Sequence, residues 1–305
     1  MSHTKKVYLY IFLTAFCFGT MELSGKIAAS SLDPFQFTFL RFLIGTACMM
    51  PLAFGEQKER NAALIEVGKP AYRPTFKDMA TVIAAGIICV PLGMGSIQLG
   101  IMMTNASTAS VIVGTNGMFA MVFAHFIGGE HMSRTKWLYL LLALVGLTFM
   151  ICPWDLAPGN TLAGSLLVLL GAMLFGLYTV IGKFAGRAMG SITQACSSMF
   201  LGNIVLLIFL LVARRPIFAG VPENLGVVLY AGIVVTCGGY LFMFLTIKHA
   251  NVQTSAISFF LKIAIAPLLS VIVLSEHLEL SSYIGIACVL AASFLNLREN
   301  RKAAA

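Results

Sequence analysis

Apolar residues run along this chain in long blocks, each closed by a short polar or basic stretch. A helix needs roughly 20 apolar residues to cross the hydrocarbon core of a bilayer. Ten blocks meet that length: 7–29, 34–54, 78–100, 104–127, 134–152, 160–186, 190–213, 225–247, 251–275 and 280–297. The runs do not alternate, and they far exceed the roughly 10-residue strands of an outer-membrane barrel. The pattern predicts an all-α polytopic membrane protein with ten transmembrane helices. Connections are short except 55–77, which is polar and is expected to lie on the membrane surface. The first block has the outline of a signal peptide, with Lys5 and Lys6 in front and Ala28-Ala29-Ser30 behind. Glu22 and Lys26 inside it argue against cleavage, so it is expected to remain as a span.

The blocks repeat. A shift of 157 lays the first block on the sixth without a gap: Phe18, Gly19, Gly25, Lys26, Ala28 and Gly45 meet Phe175, Gly176, Gly182, Lys183, Ala185 and Gly202. A shift of 146 lays 85–150 on 231–296. There Ala85-Gly86-Ile87 meets Ala231-Gly232-Ile233, Asn105 meets Asn251, Thr108 meets Thr254, and Glu130-His131 meets Glu276-His277. The reading is a duplication, 1–152 and 153–305, with five spans in each unit. An odd number of spans forces the second unit to insert upside down. Inverted repeats of this kind build secondary transporters, whose substrate site lies near the midplane between the halves.

Composition agrees with lipid as part of the solvent. The chain is 59% hydrophobic and 10% charged, where a soluble domain carries about 25% charged residues. The net charge is +8, which in a soluble chain would suggest nucleic acid. Here the basic residues sit in loops and tails, where they set topology and meet anionic lipid headgroups, so no nucleic-acid partner is expected. With the N-terminus inside, fifteen Lys and Arg fall on the cytoplasmic side and three outside: Lys26, Arg214 and Arg215. That asymmetry predicts both termini in the cytoplasm of a cell membrane, of prokaryotic inner-membrane type. The seven cysteines are scattered through apolar runs with no CxxC or Cys/His cluster. They read as small buried hydrophobes, and no disulfide, metal or cofactor is expected.

An ionisable side chain inside a span costs at least about 2.5–3.5 kcal/mol and is functional by default. Lys262 lies eleven residues into the ninth block, about 17 Å deep and close to the midplane. Its repeat partner is Asn116, at similar depth in the fourth. Lys262 suits a substrate carboxylate or phosphate; its structural alternative is a lysine paired to a carboxylate or to unwound carbonyls. Glu22 and Arg41 each lie about 10 Å from the outer interface on neighbouring spans. Glu22 suits a coupling proton or a substrate ammonium, and the pair Glu22–Arg41 is the expected structural ion pair. Gln98, Tyr178, Tyr240 and Ser258 are candidate cavity-lining residues beside Lys262, Asn116 and Glu22, although polar side chains also bridge helices. Glu130 and Glu276 are expected to cap neighbouring helices.

Phe18-Gly19-Thr20…Lys26 resembles the "WG…K" first-helix signature of EamA-type permeases of the drug/metabolite transporter superfamily, with Phe18 in place of tryptophan. Asp33-Pro34…Leu40-Arg41-Phe42 is similar to that family's second helix. Pro267-Leu268-Leu269…Leu274-Ser275-Glu276-His277-Leu278 followed by Gly285 is similar to the close of its repeat. The first copy keeps Glu130, but Met121 stands where the proline would be. The resemblance covers essentially the whole chain. It implies a transporter of small organic metabolites working by alternating access, with amino-acid-like or carboxylate-bearing solutes as substrates, export as the favoured direction and protons as a candidate coupling ion. The alternative is a cation or multidrug exporter using Glu22. An enzyme is disfavoured, since no GxSxG, HExxH or paired midplane aspartates occur. A channel is disfavoured too, since no ring of like charges or carbonyl filter motif occurs.

Overall fold

In lipid every backbone N–H and C=O must be satisfied within the segment, which favours helices. The computed structural model describes residues 3–129, 132–151, 159–249, 252–276 and 278–304, and among these no strand occurs. Nine helical stretches among the described residues are long and apolar enough to cross a bilayer. They are span 1 (Lys5–Ala28), span 2 (Pro34–Glu66), span 3 (Phe76–Met102), span 4 (Ala106–Phe126), span 5 (Arg134–Ile151), span 6 (Leu162–Gly186), span 7 (Ser191–Val212), span 8 (Pro222–Met243) and span 9 (Ile257–Leu274). Span 10 (Leu280–Asn296) is the shorter tenth. The molecule is an all-α polytopic membrane protein.

Helix starts carry the expected chemistry. Asp33 accepts from the amides of Phe35 and Gln36 at 2.9 and 3.2 Å, with Pro34 at the first helical position of span 2. Thr75 and Asp78 form the same reciprocal box at span 3, and Thr161 caps span 6. One expectation changes. Residues 55–66 are not a surface connection; span 2 continues through them as one 33-residue helix. The stretch Glu56-Gln57-Lys58-Glu59-Arg60 and Ala62-Ala63-Leu64 is made of strong helix formers. Gly68, at φ 73°, then ends the helix with its amide on the Ile65 carbonyl.

The connections gather at two ends. At one end Ser31 meets Asn224, Asp33 meets Arg215 at 2.6 Å, and Gln36 donates to the Ile217 and Ala219 carbonyls. Thr104 and the Asn105 amide bond Asn160 there as well. At the other end Glu56 accepts from the Thr193 amide, and Ser133 donates to Glu299 near the C-terminus. The ring of Tyr10 lies 5.8 Å from that of His249, which brings the N-terminal helix to this same end.

Close crossings recur at the offset positions. Gly45 of span 2 sits against Gly232 and Thr236 of span 8, and Gly202 of span 7 sits against Gly86 of span 3. Shifts of 157 and 146 convert the first crossing into the second. Likewise Gly19 packs on Ile265 and Ala266, as Gly176 packs on Phe119 and Ala120. At Gly86 a Cβ would strike the Ser198 carbonyl, so only glycine allows the backbones that close. Large side chains such as Phe37, Phe42, Met49, Met199 and Leu206 fill the interior. Leu138, Ile208, Val212, Leu268 and Ile272 point outward into the space that lipid fills.

Candidate functional site

Four spans lose regular helix at mid-length. Span 1 breaks at Thr20 (φ −94°, ψ 3°), whose hydroxyl bonds the Phe16 and Cys17 carbonyls and accepts from the Tyr230 hydroxyl. Span 4 breaks at Thr115, whose hydroxyl donates to the Ile112 carbonyl at 2.6 Å. Span 3 widens into a π-helix over Ile88–Met94, around Pro91, which lacks an amide proton. Span 8 does the same over Tyr230–Gly238, where Thr236 donates to the Ala231 carbonyl five residues back. Glu22 follows the break in span 1 by two residues, and Asn116 directly follows the break in span 4.

These distortions surround a central cavity of about 30 Å³, lined from spans 1, 2, 3, 4, 6, 8 and 9. Arg41, Asn116, Tyr240 and Lys262 supply polar groups, and Phe18, Phe42, Phe175 and Phe259 form much of the wall. Phe18 stacks on Phe259 at 5.7 Å and meets Tyr240 edge-on at 5.3 Å. The Lys262 ammonium donates to Glu22 Oε1 at 2.7 Å, and both side chains are shut away from solvent. Glu22 Oε2 is buried without a hydrogen-bond partner among the described residues.

This corrects one expectation. Glu22 pairs with Lys262 rather than with Arg41, and this is the structural alternative for Lys262, a lysine paired to a carboxylate. Arg41 stays within electrostatic range of Glu22 but forms no ion pair with it, and its guanidinium lies 5.0 Å from the Phe42 ring centroid. Two further candidates lie off the cavity wall. Gln98 is spent on the Gly25 carbonyl at 2.8 Å, tying span 3 to span 1. The Tyr178 hydroxyl faces Ser198 at 3.3 Å across the span 6–span 7 contact. Ser258, one turn before Lys262, is buried with its hydroxyl unpaired among the described residues, and it is not on the wall either. Thr236 and Phe259 are wall residues that the sequence reading missed. A signal for the two helix breaks was present: Gly19-Thr20 and Gly114-Thr115 each precede a polar side chain.

Further contacts tie helix ends together at the end bearing the Asp33–Arg215 pair. Glu276 accepts from the amides of Ala106 and Ser107 at 2.7 and 3.0 Å, capping span 4 as expected. Lys26 donates to the Ile101 and Thr104 carbonyls at 3.1 and 2.5 Å, closing the end of span 3. Glu130 and His131, with His277, lie outside the described residues.

The model of the EamA-like transporter family matches the chain twice, over residues 5–152 and 162–298. The chain belongs to the EamA-like transporter family. An uncharacterized transporter of Clostridium kluyveri is 34% identical, over 98% of this chain and 95% of its own length. An uncharacterized transporter of Archaeoglobus fulgidus is 25% identical over 96% of this chain and 99% of its own. A WAT1-related chloroplast protein of Arabidopsis thaliana is 24% identical over 66% of this chain and 50% of its own. A solved crystal structure shares the fold, with a TM-score of 0.62 at 17% identity over 99% of each chain. This EamA-like protein is thus a membrane transporter of the cell membrane and not an enzyme.

Proposed function

We propose that this EamA-like transporter moves small organic metabolites that carry a carboxylate, amino-acid-like solutes among them, by alternating access. The halves 1–152 and 153–305 are read as inverted copies, and the end that carries Asp33 and Arg215 as external. The double family match and the paired glycine crossings support the duplication. The observation that carries the functional reading is the Glu22–Lys262 ion pair, which joins span 1 of one half to span 9 of the other beside the central cavity. A buried pair is costly to break unless a new partner replaces the old one. A solute anion entering the cavity disturbs that balance of charge, and the pair rearranges as the halves part. The cavity, at about 30 Å³, has room for roughly two water molecules. A metabolite therefore fits only when the halves separate, which is what alternating access requires. A cation exporter using Glu22 has less support, because Glu22 is not on the cavity wall and its Oε1 is held by Lys262.

The test is a thermal-stabilisation screen of the detergent-solubilised protein against a metabolite library. A solute at about 100 times its Kd stabilises the folded state by about 2.7 kcal/mol. Carboxylate-bearing compounds are expected to raise the melting temperature. Stabilisation by quaternary amines and by no carboxylate would overturn the reading.

A further inference from the structure

The two cations of the central cavity are not equivalent. Lys262 is bonded to Glu22. Arg41 is 4% exposed and lines the same cavity. It has no hydrogen bond or ion pair among the described residues, and its Nε is buried without a partner. The Phe42 ring beneath it offsets only part of the cost of desolvating a guanidinium. The group of three charges thus comprises two cations and one carboxylate, and that carboxylate is held by Lys262 off the cavity wall.

We propose that Arg41 is the group that binds the solute's anion, and that the site selects apolar monocarboxylates lacking an ammonium group. This rests on the transporter reading above and narrows it. A guanidinium presents a planar fork that matches a carboxylate with two parallel hydrogen bonds. The Phe18, Phe175 and Phe259 rings suit an apolar body. An ammonium finds no free carboxylate on the wall, where Asn116 and Tyr240 are neutral. Beside two cations it would be buried without compensation. An amino acid therefore meets half of what it needs, and a simple organic anion meets all of it.

The experiment uses the full chain in proteoliposomes with three probes that share one ring: 3-phenylpropionate, phenylalanine and phenethylamine. Counterflow is measured over protein-free vesicles, alongside counterflow of a mixed metabolite pool. The expected result is transport of 3-phenylpropionate with the other two slower by about tenfold or more, because each buries an ammonium that finds no partner. Arg41→Gln is expected to lose 3-phenylpropionate counterflow by a similar factor and Arg41→Lys to restore part of it. If Arg41→Gln does not fold, 3-phenylpropionate must still stabilise the wild-type protein more than phenylalanine does. Equal or better transport of phenylalanine or phenethylamine overturns the proposal, as does a folded Arg41→Gln protein that carries 3-phenylpropionate at the wild-type rate. If pool solutes move and none of the three probes does, the proposal falls while the transporter reading stands. If nothing in the pool moves, both fall.

Discussion

Glu22 and Lys262 stabilise each other in a place where either alone would be an uncompensated charge. Removing one partner of such a pair typically costs about 3–5 kcal/mol, and removing both costs less. In thermal unfolding, Glu22→Gln and Lys262→Met should each be destabilising, and the double variant should recover much of the loss. The corresponding cycle between Glu22 and Arg41 should show weaker coupling, since no bond joins them. Each of these three residues was legible in the sequence, because a charge inside an apolar block stands out. Their pairing was not. Position along a block gives depth, but a span that is apolar all round gives no rotation about its axis, so the side on which Glu22 emerges stayed unread. The turn at Thr20 also re-aims the residues after it. The same holds for Gln98 and Tyr178: their type showed that they need partners, but not which neighbouring helix supplies them.

At the scale of the helices, the spans themselves were readable from length and apolarity, while their interruptions left only the Gly19-Thr20 and Gly114-Thr115 pairs as a trace. Hydrophobicity does not change across Thr20, Thr115 or the two π-helical stretches, so a pattern built on it runs straight through them. The extension of span 2 was hidden for the opposite reason: residues 55–66 are polar, and polarity was read as an end of helix when it marked only an end of membrane. The crossing glycines can be tested against a glycine with no neighbour. Gly86→Val should push span 3 off span 7 and cost about 1–3 kcal/mol or more. Gly55→Ala, where a Cβ meets nothing within 4 Å, should be neutral or stabilising by about 0.5–1 kcal/mol. Melting temperatures of the two variants measure the contrast, and equal effects would deny the close crossing.

Across the whole molecule, the repeat was visible as two collinear offsets, and the same offsets relate the glycine crossings of spans 2 and 8 to those of spans 7 and 3. Cysteines placed at Lys5, Arg73 and Arg298 on a cysteine-free background should label from one side of the membrane, and cysteines at Ser31 and Arg214 from the other. Labelling of Lys5 and Arg298 from opposite sides would break the ten-span topology. The pair that joins the halves could be a structural rivet or part of the transport path, and the Glu22→Gln/Lys262→Met double variant separates the two. It removes both charges together, so it keeps the protein folded where a single change strains it. The decisive measurement is solute counterflow by that double variant in proteoliposomes, compared with wild type at a temperature below both melting points. The expected result is a stable protein with no counterflow of carboxylate solutes; counterflow at the wild-type rate would show that the pair only holds the halves together.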